Sequence, residues 1–168
     1  SGVYTLSGYY GLAPGTYFVQ ALGWPGLLGE LYDDHPCAFG VCTVTAGTGV
    51  VVTAGATTSG IYFGLEPAGR IAGTVTDAAT NAALNNVSIS VYSASGNWVG
   101  GGSTLAGVGY TVFSLPTGTY YVRTWNSLGY LDELYNDKPC PRDSCPVTTG
   151  TGVSVTAGAT TSGIDFGL

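Results

Sequence analysis

Four cysteines are the chain's most reactive side chains, and they fall as two pairs at one spacing, Cys37-x4-Cys42 and Cys140-x4-Cys145. Two equivalent pairs predict two local disulfides, each closing a short loop, and an oxidising compartment. The alternative is a zinc site: four thiolates could form a tetrahedral shell with His35 beside it, provided the two loops meet in space. His35 is the only histidine, no Ser-His-Asp set is evident, and Cys37 reads as a disulfide partner more than as a nucleophile. Glu30, Asp33 and Asp34, with Asp132, Glu133 and Asp137, could offer oxygen ligands to calcium, but they lack the loop spacing of a known calcium motif. Capping and turn hydrogen bonds are their expected work, so the reading is a non-enzyme without metal or cofactor.

Aromatic residues offer a different chemistry. Trp24, Trp98 and Trp125, with twelve Tyr, could make a flat platform for stacking on sugars, as in a carbohydrate-binding or adhesion module. Cross-strand packing is the commoner use of such residues. Asn86-Val87-Ser88 is an N-glycosylation sequon, although Asn85-Asn86 reads equally well as a turn. The hydroxyl clusters Thr57 to Ser59 and Thr160 to Ser162 could carry O-linked sugars.

Behind these groups stands an unusual composition. Charged residues are 8% of the chain, against a typical value of about 25%. Gly, Thr, Val and Tyr are abundant, which suits strands and tight turns. The formal charge of -6 with four basic residues excludes a phosphate-neutralising surface, hence a nucleic-acid partner. Residues 1 to 29 carry no charge, but Pro14, Pro25, Gln20 and several Gly interrupt them, whereas a membrane span needs about 20 mostly apolar helical residues. They read as buried strand. No Met occurs, even at position 1, which fits a processed chain whose signal peptide has been removed, or a fragment.

The chain also repeats itself. Leu12 to Leu65 align without a gap onto Leu115 to Leu168, and 33 of the 54 positions are identical. Strand-like sequence runs from Gly69 up to the second copy, whereas eleven residues precede the first. The expected organisation is an incomplete β-sandwich repeat over 1–65 and a complete one over 66–168, joined by Glu66-Pro67-Ala68, too short for free movement. Val87-Ser88-Ile89-Ser90-Val91-Tyr92 alternates apolar with polar residues, the period of a half-buried strand, and Ile71, Gly73 and Val75 do the same. Further strands are predicted at Tyr110 to Phe113, Thr119 to Trp125, Val147 to Thr156 and Thr161 to Phe166. Turn signals separate them and no long 3.6-residue period appears, so the fold class is all-β, a sandwich.

Gly69-x-Ile71-x-Gly73-x-Val75-Thr76-Asp77, Leu84-x-x-Val87-x-Ile89-x-Val91, Gly109-Tyr110 and Leu115-Pro116-x-Gly118-x-Tyr120 together resemble the carboxypeptidase regulatory-like domain. That resemblance implies a prealbumin-like (Ig-like) sandwich in tandem, of the kind found in secreted and surface bacterial proteins. It also implies a non-catalytic module in an adhesive, structural or accessory position. The resemblance covers 69–168, and only the later motifs recur in the first copy.

The two copies differ in one direction. Opposite Arg123, Lys138, Arg142, Ser144, Ser154 and Asp165 in the second copy stand Gln20, His35, Phe39, Val41, Val51 and Tyr62 in the first. If Val50 and Val52 face the core, Val51 points outward. Phe39, Val41, Val51 and Tyr62 thus predict an apolar patch covered by another surface. An incomplete sandwich exposes unpaired strand edges that recruit strands from other chains, and head-to-tail contacts that do not close make fibres. The expectation is an extracellular or cell-surface homopolymer completed by strands of neighbouring copies.

Overall fold

The computed structural model describes residues 2–23, 26–37, 42–105, 107–141 and 144–168. Among these the chain is all-β, and its only helical pieces are single 3-10 turns, including Val44–Ala46 and Val147–Thr149. The first repeat contains β1 (Gly15–Phe18), β2 (Gln20–Ala21), β3 (Glu30–Leu31), β4 (His35–Pro36) and β5 (Gly49–Val52). After the linker come β6 (Gly69–Gly73), β7 (Val75–Thr76), β8 (Ser88–Ser93), β9 (Trp98–Ser103), β10 (Tyr110–Leu115) and β11 (Gly118–Trp125). β12 (Glu133–Leu134), β13 (Lys138–Pro139), β14 (Val153–Val155), β15 (Thr160–Thr161) and β16 (Phe166–Gly167) complete the second unit.

That second unit has the layers of a sandwich. One sheet runs β13-β12-β11-β8-β9 with β14 beside β11, and the other runs β10-β6-β15. Alternation dictates what lies between them. Ile89 and Val91 of β8, with Tyr120 and Val122 of β11, point inward and meet Ile71, Val112 and Leu115. Each fully buried Val, Leu or Ile of this set contributes about 1.5–3 kcal/mol. Val75 and Phe166 close one end, because β16 lies parallel to β7, with Phe166 opposite Val75.

Three expected elements differ. Val147 to Thr156 is a 3-10 turn followed by β14, not one strand: Pro146 and Gly150 bound the turn, and the Thr149 hydroxyl donates to the Pro146 carbonyl at 2.7 Å. Thr161 to Phe166 splits into β15 and β16, with Gly163 at φ +78° between them. The uncharged N-terminal stretch is not buried strand. Apart from β1, β2 and the isolated Tyr9–Gly11 and Leu27–Pro67 bridges, its described residues are non-strand, and Val3, Tyr9 and Tyr10 are almost fully exposed. A strand needs a partner for its N–H and C=O groups, and among the described residues nothing pairs with 2–14 beyond the Tyr9–Gly11 bridge.

Candidate functional site

Both repeats build the same disulfide-clipped corner. β1 pairs β5 with Gly15 opposite Val52 and Tyr17 opposite Val50, and β11 pairs β14 in the same register, Gly118 opposite Val155 and Tyr120 opposite Val153. Gln20 faces Leu31 as Arg123 faces Leu134, and β3–β4 matches β12–β13 residue for residue. Cys37–Cys42 and Cys140–Cys145 are disulfides, with Cα atoms 5.4 and 5.3 Å apart, so the local pairing is the correct one of the two cysteine readings. Leu31 and Leu134, like Cys37 and Cys140, are buried to the same degree. In the first copy the Gln20 amide donates to Cys37 Sγ at 2.9 Å; in the second, the Arg123 guanidinium lies 5.6 Å from the centre of the Tyr92 ring.

Away from that corner the copies diverge. In the second, β11 from Tyr120 to Trp125 pairs along its other edge with β8, Ser93 to Ser88. The matching edge of the first copy, Tyr17 to Leu22, has no strand beside it among the described residues. β15 lies parallel to β6, whereas the counterpart Thr57–Thr58 belongs to no strand. The consequence is a core left half open. Tyr120, Val122, Val155, Ile164 and Phe166 are buried, but Tyr17, Val19, Val52, Ile61 and Phe63 are only partly so; Leu115 is 0% exposed and Leu12 38%.

Sequence comparison alone missed one member of this face. The Tyr110 hydroxyl donates to the Ile164 carbonyl at 2.6 Å and its ring lies 6.4 Å from Phe166. In the first copy Tyr4 does the same work, donating to the Ile61 carbonyl at 2.8 Å with its ring 5.9 Å from Phe63. Burial, then the nearby Tyr32, pushes the Tyr4 phenol above its ordinary pKa. The signal was Tyr4-Thr5-Leu6 against Tyr110-Thr111-Val112, hidden because Leu12 follows Tyr4 by eight positions while Leu115 follows Tyr110 by five.

The predicted interface residues fall as follows. Val50 is buried and Val51 is 61% exposed, so Val51 does point outward, opposite Thr16. Tyr62 is 82% exposed at the mouth of a recess of about 350 Å³ lined by Tyr32, Asp33, Asp34 and Phe63. Its counterpart Asp165 instead accepts the Thr74 N–H and hydroxyl at 2.7 and 2.9 Å, capping the β6–β7 turn. Phe39, Val41 and Trp24 lie outside the described residues. Asn86 is exposed in a left-handed turn at φ +60°, compatible with both of its readings.

Carboxylates serve the backbone. Glu30 accepts the Gly64 N–H at 2.7 Å, Asp33 accepts the Thr48 hydroxyl at 2.9 Å, and Asp77 accepts the Ala79 and Thr80 N–H groups and the Tyr130 hydroxyl. Those bonds, the Tyr130 hydroxyl first, hold the Asp77 pKa down at about 2. Glu133 is the opposite case: burial, then the Asp137 charge, lifts it to about 7 against the Gly167 N–H. Among the described residues no set of three or more His, Cys, Asp or Glu side chains could hold a metal.

The linker is fixed to the first repeat. The Leu28 N–H donates to the Glu66 carbonyl at 2.7 Å and the Ala68 N–H to the Gly26 carbonyl at 2.8 Å, with Leu27 bridged to Pro67. Among the described residues no helix is long and apolar enough to cross a membrane. No family model matches the chain, and neither does any curated protein.

Proposed function

We propose that this chain is the repeating, non-catalytic subunit of an extracellular filament, in which strands of a neighbouring copy seat on the open face of the first repeat. In this reading the chain is two prealbumin-like sandwiches in tandem, like those of the carboxypeptidase regulatory-like family, and the first is completed only on assembly. The observation that carries it is the paired difference in burial: residues that β6, β7 and β8 cover in the second repeat stand partly open in the first. An open edge at Tyr17 to Leu22 beside exposed apolar side chains is the combination that takes up a strand from another chain.

Supporting features agree with one another. The outward Val51 and exposed Tyr62 replace Ser154 and Asp165, both polar, on the same copy that bears the open edge. The linker's hydrogen bonds tie it to the first repeat, and a head-to-tail contact between unlike surfaces propagates as a fibre. Two disulfides agree with assembly outside the cell.

Hydrogen exchange read segment by segment tests this reading. Amides over residues 15–22 and 57–64 should exchange at least tenfold more slowly in assembled material than in dissociated subunit, while β8 and β11 change little. Equal exchange in both states would overturn it.

A further inference from the structure

The outward face of the second repeat's large sheet carries a row of aromatic rings that the strand-complementation reading does not use. Tyr121 of β11 stands opposite Tyr92 of β8, and Tyr92 stands opposite Trp98 of β9. Their neighbours Val91 and Val122 are buried in the core, so Tyr121 and Tyr92 project from the other side, where Trp98 is 59% exposed. Adjacent strands lie about 4.8 Å apart, so the three rings span about 10 Å across the sheet. Trp125, 49% exposed, lies on the same face two residues beyond Arg123.

What borders the row defines the partner. The outward positions of β8 and β11 are otherwise Ser88, Ser90, Thr119 and Arg123, hydrogen-bonding groups without an aliphatic side chain among them. β8, β9 and β11 contain no Asp or Glu, although the chain as a whole carries -6. Arg123, opposite Leu134 of β12, is itself buried, with its guanidinium over the Tyr92 ring. At the hairpin end, a Cβ on Gly96 would lie 3.4 Å from Thr148 Cγ2, so the Val147–Thr149 turn forms a wall.

We infer that this face binds a glycan, with pyranose rings stacked on Tyr121, Tyr92 and Trp98. The row is long enough for about two rings, one per 4.8 Å strand spacing. Aromatic faces take the apolar C–H face of a sugar, while the flanking hydroxyls take its rim of oxygens. The absence of carboxylates from these three strands suits a neutral glycan. By contrast, the open face of the first repeat, with Leu12, Val19 and Ile61 beside Tyr17 and Phe63, is an uncovered core and suits protein. The glycan site is separate from the polymer contact and stands whether or not the chain assembles.

Isothermal titration calorimetry on the full disulfide-bonded chain tests this, with cellohexaose, xylohexaose, mannohexaose and chitohexaose as probes. Saturable binding to at least one is expected. Trp98→Ala and Tyr121→Ala should each weaken it about tenfold, the loss of one stacked ring. Tyr62→Ala, in the first repeat, should leave it unchanged, and circular dichroism checks that each variant is folded. Absence of heat with all four sugars, or binding unaltered in folded Trp98→Ala and Tyr121→Ala, would overturn the inference. So would Trp98→Ala acting on assembly alone, because the face would then seat protein.

Discussion

Tyr4 donates its hydroxyl to the carbonyl of Ile61 at 2.8 Å, the bond that Tyr110 makes to Ile164 in the second repeat. The first repeat therefore extends further toward the N-terminus than its gap-free alignment. It keeps a counterpart of β10's first residues while having no counterpart of β6 beside them among the described residues. Leu6, matching the buried Val112, is accordingly 57% exposed.

Replacing first-repeat residues by their second-repeat counterparts should impair assembly without unfolding the subunit. Val51→Ser and Tyr62→Asp each remove apolar surface at exposed positions. Each should raise the critical concentration for assembly about tenfold, the equivalent of one buried side chain. Sedimentation across a concentration series measures it, with Ser154→Val and Asp165→Tyr as the reciprocal pair. Asp165→Tyr should also lower subunit stability, since it removes the cap on Thr74.

Glu133 makes stability fall as pH rises. Its folded pKa is about 7 against an ordinary 4.5, so the folded chain prefers the protonated carboxyl. The favourable contribution is complete below about pH 4.5 and is lost as pH climbs to 7. Solvent screening of a half-buried group reduces the effect to about 1–2 kcal/mol. Glu133→Gln should flatten the melting temperature between pH 5 and 8 and stabilise the chain at pH 8, as thermal unfolding at each pH would show.

Asp77 titrates in the opposite sense. Its pKa of about 2 lies below the ordinary 3.8, so its contribution is present above pH 3.8 and lost as pH falls toward 2. The Tyr130 hydroxyl, bonded at 2.7 Å, is the main cause. Tyr130→Phe should raise the Asp77 pKa toward 3.8, readable from the carboxyl carbon shift in an NMR titration.

Reducing the disulfides should loosen both clips. Each closes a loop with a sequence separation of five, for which chain entropy gives about 2 kcal/mol. Reduced protein should melt at lower temperature, and thiol titration of the denatured chain should give four free thiols after reduction and none before.

How much of this could be read in the sequence depended on how the residues alternate. β8 was legible because Ile89 and Val91 alternate with serines, and the cysteine pairs because their spacing recurs. β9 was not, since Trp98 to Ser103 is half glycine and has no period to detect. Val147 to Thr149 has strand-like residue types, yet Pro146 and Gly150 confine it to one turn. Val51 was placed outward by strand period alone, and the structure agrees; the alignment of Tyr92, Tyr121 and Trp98 required the register between three strands.

Electron cryo-microscopy of the native, unreduced material tests the central claim most directly. The account predicts filaments in which a strand from a neighbouring copy runs beside Tyr17 to Leu22 and covers Leu12, Ile61 and Phe63. Monodisperse single particles, or filaments in which that edge stays bare, would contradict it.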